Sequence, residues 1–446
     1  MADPGTTAKP ATVQLAITEA LRRHSEILPS PEQPDDFARS FARFGGARVV
    51  LLGEATHGSS EFYRARGAIT RHLIEHHGFT IVAVEADWPD AAPIDRYVRH
   101  HEPKPARGKA FARFPTWMWR NAEVMEFLDW LRAHNEGLRP EQRASFHGLD
   151  VYSLGASVEA VLDYLDRVDP EAAKAARRRY GCLTPWQDEP GDYGRAVVYG
   201  GRETCEDEAV AQLGELLAHR VAYMHQDGEA FFDAAQNARI VRAAEQYYRV
   251  MYQGSRESWN LRDRHMFDTL RALLAHRGAA GKAVVWAHNS HIGNAAATAM
   301  GWQGEFNVGE LCRIAYGEDA ALIGFGTDRG TVAAASDWGA PMEIKTVRPA
   351  RRNSYEYAFR EAGCARSLTD WRGSARRELA ETLRQPMMER AIGVIYRPET
   401  ELASHYFEAV LAEQFDAYVW FEETRAVTPL PTPRAPGLPE TYPFGI

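Results

Sequence analysis

Short, uninterrupted apolar runs alternate with longer helical patterns along much of this chain, and that alternation restricts it to a sheet covered by helices. "ARVVLLG" (47–53), "FTIVAVEA" (79–86) and "ASFHGLD" (144–150) read as strands. "VQLAITEALRRHSEIL" (13–28), "SSEFYRARGAITRHLIEHHG" (59–78) and "EVMEFLDWLRAH" have helical periodicity. Strands that are apolar throughout are buried on both faces, as in parallel sheets. The expected fold is therefore α/β, with a parallel or mixed central sheet flanked by helices.

The character changes in the middle. From about 156 to 275 the β-runs stop and long helical patterns such as "EDEAVAQLGELLAHRVAYM" and "FFDAAQNARIVRAAEQYYRVMYQ" take over, alongside the Pro/Gly-rich "CLTPWQDEPGDYGR". The β-runs resume with "KAVVWA" (282–287), "AALIGFG" (320–326), "AIGVIY" (391–396) and "FDAYVWF" (415–421). The organisation expected is a disordered leader (1–12), a first part of the core (13–155), a helical insertion or lid (156–275), a second part of the core (276–425) and a proline-rich, extended tail (426–446). "GFGTDRG" (324–330) is not GxGxxG and reads as a hairpin turn.

Several function classes are disfavoured. The net charge is −9 and no long basic block occurs, which argues against nucleic acid as a partner. "KAARRRY" and "RPARRNS" read as solvated surface rather than anion sites. The apolar runs are too short to span a bilayer, and the start lacks a secretory apolar region. Cys182, Cys205, Cys312 and Cys364 are widely separated, so neither a disulfide framework nor a zinc knuckle is expected, and a reducing, cytoplasmic location fits. There is no GxSxG, HExxH or Walker A motif.

The chemistry-bearing residues gather where the strands end. Open α/β sheets place their ligands beyond the carboxyl ends of the strands. In "GEATHGSSE", Gly53 permits a sharp turn, and Ser59, Ser60 and Glu61 favour a helix start. Glu54 and His57 then share the connecting loop, where a carboxylate can fix one imidazole tautomer. On the ExxH spacing alone, His57 as a helix cap and His57 as a base stand about even.

Phe62, Arg66, Ile69 and Leu73 share one face of the following helix, which turns Arg66 inward. A buried arginine needs a partner, Glu54 or Glu85, and it can also serve as an oxyanion donor. Glu85 ends an apolar run; Asp87 could be a helix cap; Asp150 ends another strand with even odds of being structural. Asp87 and Asp150 are carried as substrate-binding candidates. "WAHNSHIGN" places His288 and His291 after a further strand, and they share a face only if that segment turns.

Two chemistries suit this set. One is a histidine base acting on water, with cationic and imidazole groups stabilising an oxyanion. The other is a divalent metal held by His57, His288, His291 and Glu85. No cofactor is the primary expectation and a divalent metal the alternative. A non-catalytic pocket protein for a polyketide or glycan is the reading from a different class.

"LLGEATHGSSEFY", "FTIVAVEADWPDA", "FPTWMWRNAEV", "FHGLDVYSL", "VVWAHNSHIG", "IGFGTDRGTVAAA" and "RRNSYEYAFREAG" occur in that order from about 48 to 425. In these motifs the chain resembles the erythromycin esterase family. Relatives hydrolyse the macrolactone ester of erythromycin-type antibiotics, and other members are labelled as polysaccharide-biosynthesis proteins. The resemblance implies a hydrolase acting on a carboxylic ester or macrolactone without a serine nucleophile. It makes His57 the water-activating base oriented by Glu54. It places Arg66, His288 and His291 in the pocket, and Glu85 on a strongly patterned position. It leaves metal dependence, the ester itself and antibiotic resistance as a role open.

Overall fold

Alternate residues of the apolar runs pack on opposite faces of one sheet. Val50, Leu52, Val82, Val84, Val284 and Trp286 join one buried cluster, while Val49, Leu51, Ile81, Ala83 and Val285 join the other. Both faces are thus covered, which is why the runs are apolar throughout rather than alternating. The computed structural model describes residues 10–101, 111, 114–187 and 189–431.

The strands are β1 Glu26–Ile27, β2 Val49–Leu52, β3 Ile81–Asp87, β4 Ser145–Asp150, β5 Ala283–Trp286, β6 Ala320–Ala335, β7 Met342–Val347, β8 Arg366–Asp370, β9 Met387–Arg390, β10 Tyr406–Ala409 and β11 Ala417–Thr424. Nine form one mixed sheet in the order β1-β8-β11-β6-β2-β5-β3-β4, with β7 paired to β6. From β11 to β4 all neighbours are parallel, and β1, β7 and β8 add antiparallel pairings. β9 and β10 make a separate antiparallel pair. β5 returns late in the chain to lie between β2 and β3. The ends of β2, β5, β3 and β4 are therefore side by side.

Between β4 and β5 the described chain is helical, including Leu154–Val168, Glu206–Ala218, Arg220–Val250 and Ser255–Arg277. These helices have a core of their own, with Val158, Val161, Tyr193, Val241 and Tyr248 among its residues. The helix Ser255–Arg277 leaves that core at its first turns and faces the ends of β3 and β4.

Three expectations are corrected. "GFGTDRG" is not a hairpin turn: it lies inside β6, which runs unbroken for 16 residues. Its glycines allow close packing, since a Cβ on Gly324 or Gly326 would meet the Tyr418 ring. "AIGVIY" forms isolated bridges through Ile392 and Ile395 rather than a strand; Ile392 pairs with the loop residue Thr56, and the regular pairing falls on β9 just before it. Cys182 and Cys205 are joined as a disulfide, their Cα atoms 6.1 Å apart; helix packing closes a gap that looked wide in sequence. Gly53 has no left-handed backbone. It is needed for close approach, because a Cβ there would lie 2.1 Å from Asn289 Oδ1.

Most of the leader assigned to 1–12, and the tail beyond 431, lie outside the described residues; 10–12 begin the first helix, Pro10–His24. Within 426–431, Ala426 bridges Ser59 and Pro429 bridges Asn121. Among the described residues no helix is long and apolar enough to cross a membrane.

Candidate active site

Glu54 follows β2 and is fully buried between two partners. Its Oε1 lies 2.9 Å from His57 Nδ1, and its Oε2 accepts from Arg66 Nη2 at 2.7 Å. A carboxylate only accepts, so His57 carries its proton on Nδ1 and presents the lone pair of Nε2. The backbone is fixed as well: the Tyr63 hydroxyl donates to the His57 carbonyl at 2.9 Å. The Arg66 guanidinium sits 4.4 Å from the Tyr63 ring centroid and 5.3 Å from that of Trp286. Its Nε and Nη1 are buried without a partner.

His288 has the opposite tautomer. It caps the short helix Asn289–Ile292, and its Nδ1 accepts from the Ser290 amide at 3.2 Å. A backbone N–H can only donate. Burial pushes the His288 imidazole well below its ordinary range. The Ser290 hydroxyl, 2.8 Å from the same nitrogen, can donate to it as well, so the neutral ring carries its proton on Nε2, which is buried and faces the Ala55 backbone. The two ring centroids are 4.9 Å apart. One ring thus offers an acceptor and its neighbour a donor.

Glu85, at the end of β3, ties the strand ends together. Its Oε2 accepts from the His288 amide at 2.8 Å and its Oε1 from Arg262 Nη2 at 2.8 Å. His291 Nε2 lies 3.4 Å from Glu85 Oε1, and His57 Nε2 lies 4.0 Å from it. Burial raises the Glu85 carboxyl, but the charged His291 and Arg262 outweigh burial and hold it well below the usual carboxylate range.

His291 is wedged between Asp263, 3.0 Å from Nδ1, and the Trp259 ring, stacked 4.5 Å away. Burial disfavours its charge, yet Asp263 and Glu85 raise the imidazole to about 9. The Arg262 guanidinium, 3.0 Å from Nε2, works the other way because it cannot accept. Two carboxylates prevail over one cation, so the ring is charged at neutral pH. A raised histidine stabilises the fold fully below its unfolded value, near 6.5, and that contribution is lost as pH rises toward 9. The His291→Gln variant is expected to fall below wild type by roughly 3 kcal/mol near pH 6, with the gap narrowing as pH rises to 9. Urea unfolding at both pH values measures this, and an equal gap at both would contradict a charged His291.

The sequence candidates divide between the cluster and its supports. Glu54, His57, Arg66, Glu85, His288 and His291 come together. Asp150 commits both carboxylate oxygens to Arg262, at 2.9 and 2.7 Å. Asp87 accepts from the Tyr152 amide at 3.1 Å and makes no side-chain cap bond to the helix it precedes. Arg262 and Asp263 were not singled out by the sequence. The signal was present: Trp259, Arg262, Asp263 and Met266 lie on one helix face, and two charges on an apolar face demand buried partners.

The alternative metal set fits poorly as the side chains stand. His291 is unsuited, because both its nitrogens face Asp263 and Arg262; the engaged Nδ1 of His57 and of His288 leaves Nε2 of each as the atom that would bind. Both Glu85 oxygens are also occupied. Among the described residues no group of three His, Cys, Asp or Glu could hold a metal ion.

Comparison with known proteins matches residues 74–424 to the erythromycin esterase family. The chain belongs to the erythromycin esterase family. The matched span contains Glu85, Asp150, Arg262, His288 and His291, and begins after Glu54, His57 and Arg66. An erythromycin esterase type II from Escherichia coli is 22% identical over 390 residues, covering 83% of this chain and 90% of its own. A crystal structure of a Bacillus cereus protein superposes with a TM-score of 0.77 at 19% identity, covering 94% of this chain and 99% of its own. A mutant of the erythromycin esterase EreC in its open conformation gives 0.65 at 18% identity, covering 90% and 98%. The likeness to these structures extends to the fold. Family membership makes the chain an ester hydrolase at the level of the family.

Proposed function

We propose that this chain hydrolyses a carboxylic ester or macrolactone by direct attack of water, with His57 as the base. The observation that carries the reading is the opposed tautomers of His57 and His288, with ring centroids 4.9 Å apart. His57 Nε2 takes a proton from water as the water oxygen bonds to the ester carbon. The carbonyl oxygen becomes an oxyanion, and the His288 Nε2–H and the unpartnered Arg66 Nη1 are the donors for it. The tetrahedral intermediate collapses, the C–O bond breaks, and the His57 imidazolium returns its proton to the departing alcohol. A donor of this kind contributes about 3–4 kcal/mol to the barrier.

Glu54 keeps the His57 ring oriented and stabilises its cation, as an orienting carboxylate does in other hydrolases. No serine is required, which agrees with the absence of GxSxG. The test is hydrolysis of a macrolide panel and of simple activated esters, followed by mass with and without prior chelation. The expected result is addition of one water, unchanged by chelator. Loss of activity on chelation that a divalent ion restores would overturn the base mechanism and move His57 and His288 into ligand roles.

A further inference from the structure

His288 and His291 sit on a turn of only four helical residues, Asn289–Ile292. A turn that short does not hold itself in place. What fixes it is the residue between them. The Asn289 amide N–H donates to the Glu54 carbonyl at 2.9 Å. Its side chain brackets Phe325 on β6, with Nδ2 donating to the carbonyl at 2.8 Å and Oδ1 accepting from the amide at 3.2 Å. The second Nδ2 hydrogen points away from the site, to Glu389 Oε1 at 3.2 Å.

We propose that Glu389 is a positioning residue for the reaction: it sets the Asn289 amide, and Asn289 holds the turn carrying His288 and His291 against the Glu54 loop. The proposal rests on the hydrolase reading above for its kinetic readout, and on geometry alone for its structural one. Glu389 is fully buried on β9, and its Oε2 has no partner. Glu356 Oε2 and Gln414 Oε1 nearby are buried and unpartnered too. All three atoms accept hydrogen bonds, so a proton on Glu389 Oε2 adds a donor to those the chamber has in the Tyr418 hydroxyl and the Gln414 amide. Burial and the neighbouring Glu356 raise the Glu389 carboxyl to about 8, so it is neutral at neutral pH.

The titratable groups facing Glu389 are Glu356 and Tyr355 from the helix Tyr355–Ala362 and Tyr418 from β11. Gln414 and Asn289 face it as amides. The adjoining Arg390 is committed to Tyr406 and to the carbonyls of Thr327 and Asp328. A neutral acid is therefore the form that holds Asn289 without placing a carboxylate charge beside Glu356.

The test compares Glu389→Ala and Glu389→Gln in the full chain, reading the ring signals of His288 and His291 in ¹⁵N-histidine-labelled protein and kcat/KM on p-nitrophenyl acetate. Glu389→Ala is expected to shift both rings and to lower kcat/KM by about 100-fold, as a small misplacement does. Glu389→Gln keeps an acceptor and a donor and is expected to restore both readouts. Ring signals in Glu389→Ala at their wild-type positions would overturn the proposal. Should that variant fail to fold, titration decides: the His288 signal of wild type is expected to move in two steps, near pH 8 with Glu389 and near pH 9 with His291, and that of Glu389→Gln to keep only the second. A step near pH 8 that persists in Glu389→Gln would overturn it. Lack of turnover by wild type would overturn the hydrolase reading alone, because the ring signals do not depend on it.

Discussion

Replacing His57 by alanine is expected to cost at least the about 10²–10⁴-fold that a positioned base contributes, with the fold retained. The expected survival of the fold follows from what the ring does not support. Glu54 keeps its ion pair with Arg66 when the imidazole is gone, so no buried charge is stranded. Tyr63 donates to the His57 backbone carbonyl, which alanine preserves. The loss should therefore appear in kcat, with an unfolding midpoint close to wild type. His57→Gln is the sharper partner variant, since its amide can bond Glu54 but cannot take a proton at neutral pH. Steady-state hydrolysis of p-nitrophenyl acetate, with urea unfolding as control, checks both. Substantial turnover by folded His57→Ala would remove the base assignment.

The residues that declare themselves in sequence are those whose reason is local. Glu54 and His57 are three apart on one loop, and Arg66 lies on the apolar face of the next helix. Each is legible because an apolar pattern surrounds a charge that has no apolar reason to be there. The sheet was legible for the same reason, since runs such as "VVLL" and "IVAV" fit only strands buried on both sides. What was hidden depends on strand order. β5 returns between β2 and β3 after 132 intervening residues of chain from β4, and no local pattern announces that His288 will land beside His57.

The roles of Asp150 and Arg262 were hidden by the same cause. Asp150 stood open between a structural and a substrate-binding role because its partner lies 112 residues away, on the helix Ser255–Arg277. "GFGTDRG" looked like a turn because its glycines signal turns by default; here they admit the Tyr418 ring against β6. A glycine required for close packing and a glycine required for a turn are identical in sequence.

Arg262→Met is expected to produce the largest loss of stability of any single change at the site. Arg262 is buried and holds Glu85 with Nη2 at 2.8 Å and Asp150 with Nε and Nη2 at 2.9 and 2.7 Å. Methionine fills part of the volume but leaves buried Asp150 without its cation and Glu85 with His291 alone. Breaking a buried pair in this way costs about 3–5 kcal/mol, more than the pair itself contributes. The cause can be separated from lost packing by Arg262→Met combined with Asp150→Asn. That change removes one stranded charge while adding no volume, so part of the loss should return.

The pH dependence has a definite sign. Glu85 is held well below its ordinary value in the wild type. It therefore contributes stability that is present above the ordinary carboxylate range and lost as pH falls. The deficit of Arg262→Met should be largest at neutral pH and shrink in acid, where Glu85 takes up a proton in the variant. Urea unfolding of the three proteins near pH 7 and pH 5 measures both effects. A deficit that is the same at the two pH values, or that the second substitution leaves untouched, would mean that Arg262 acts through packing. Glu85 would then hold the His288 amide without the guanidinium, and the insertion helix would be a wall of the site rather than a part of its charge balance.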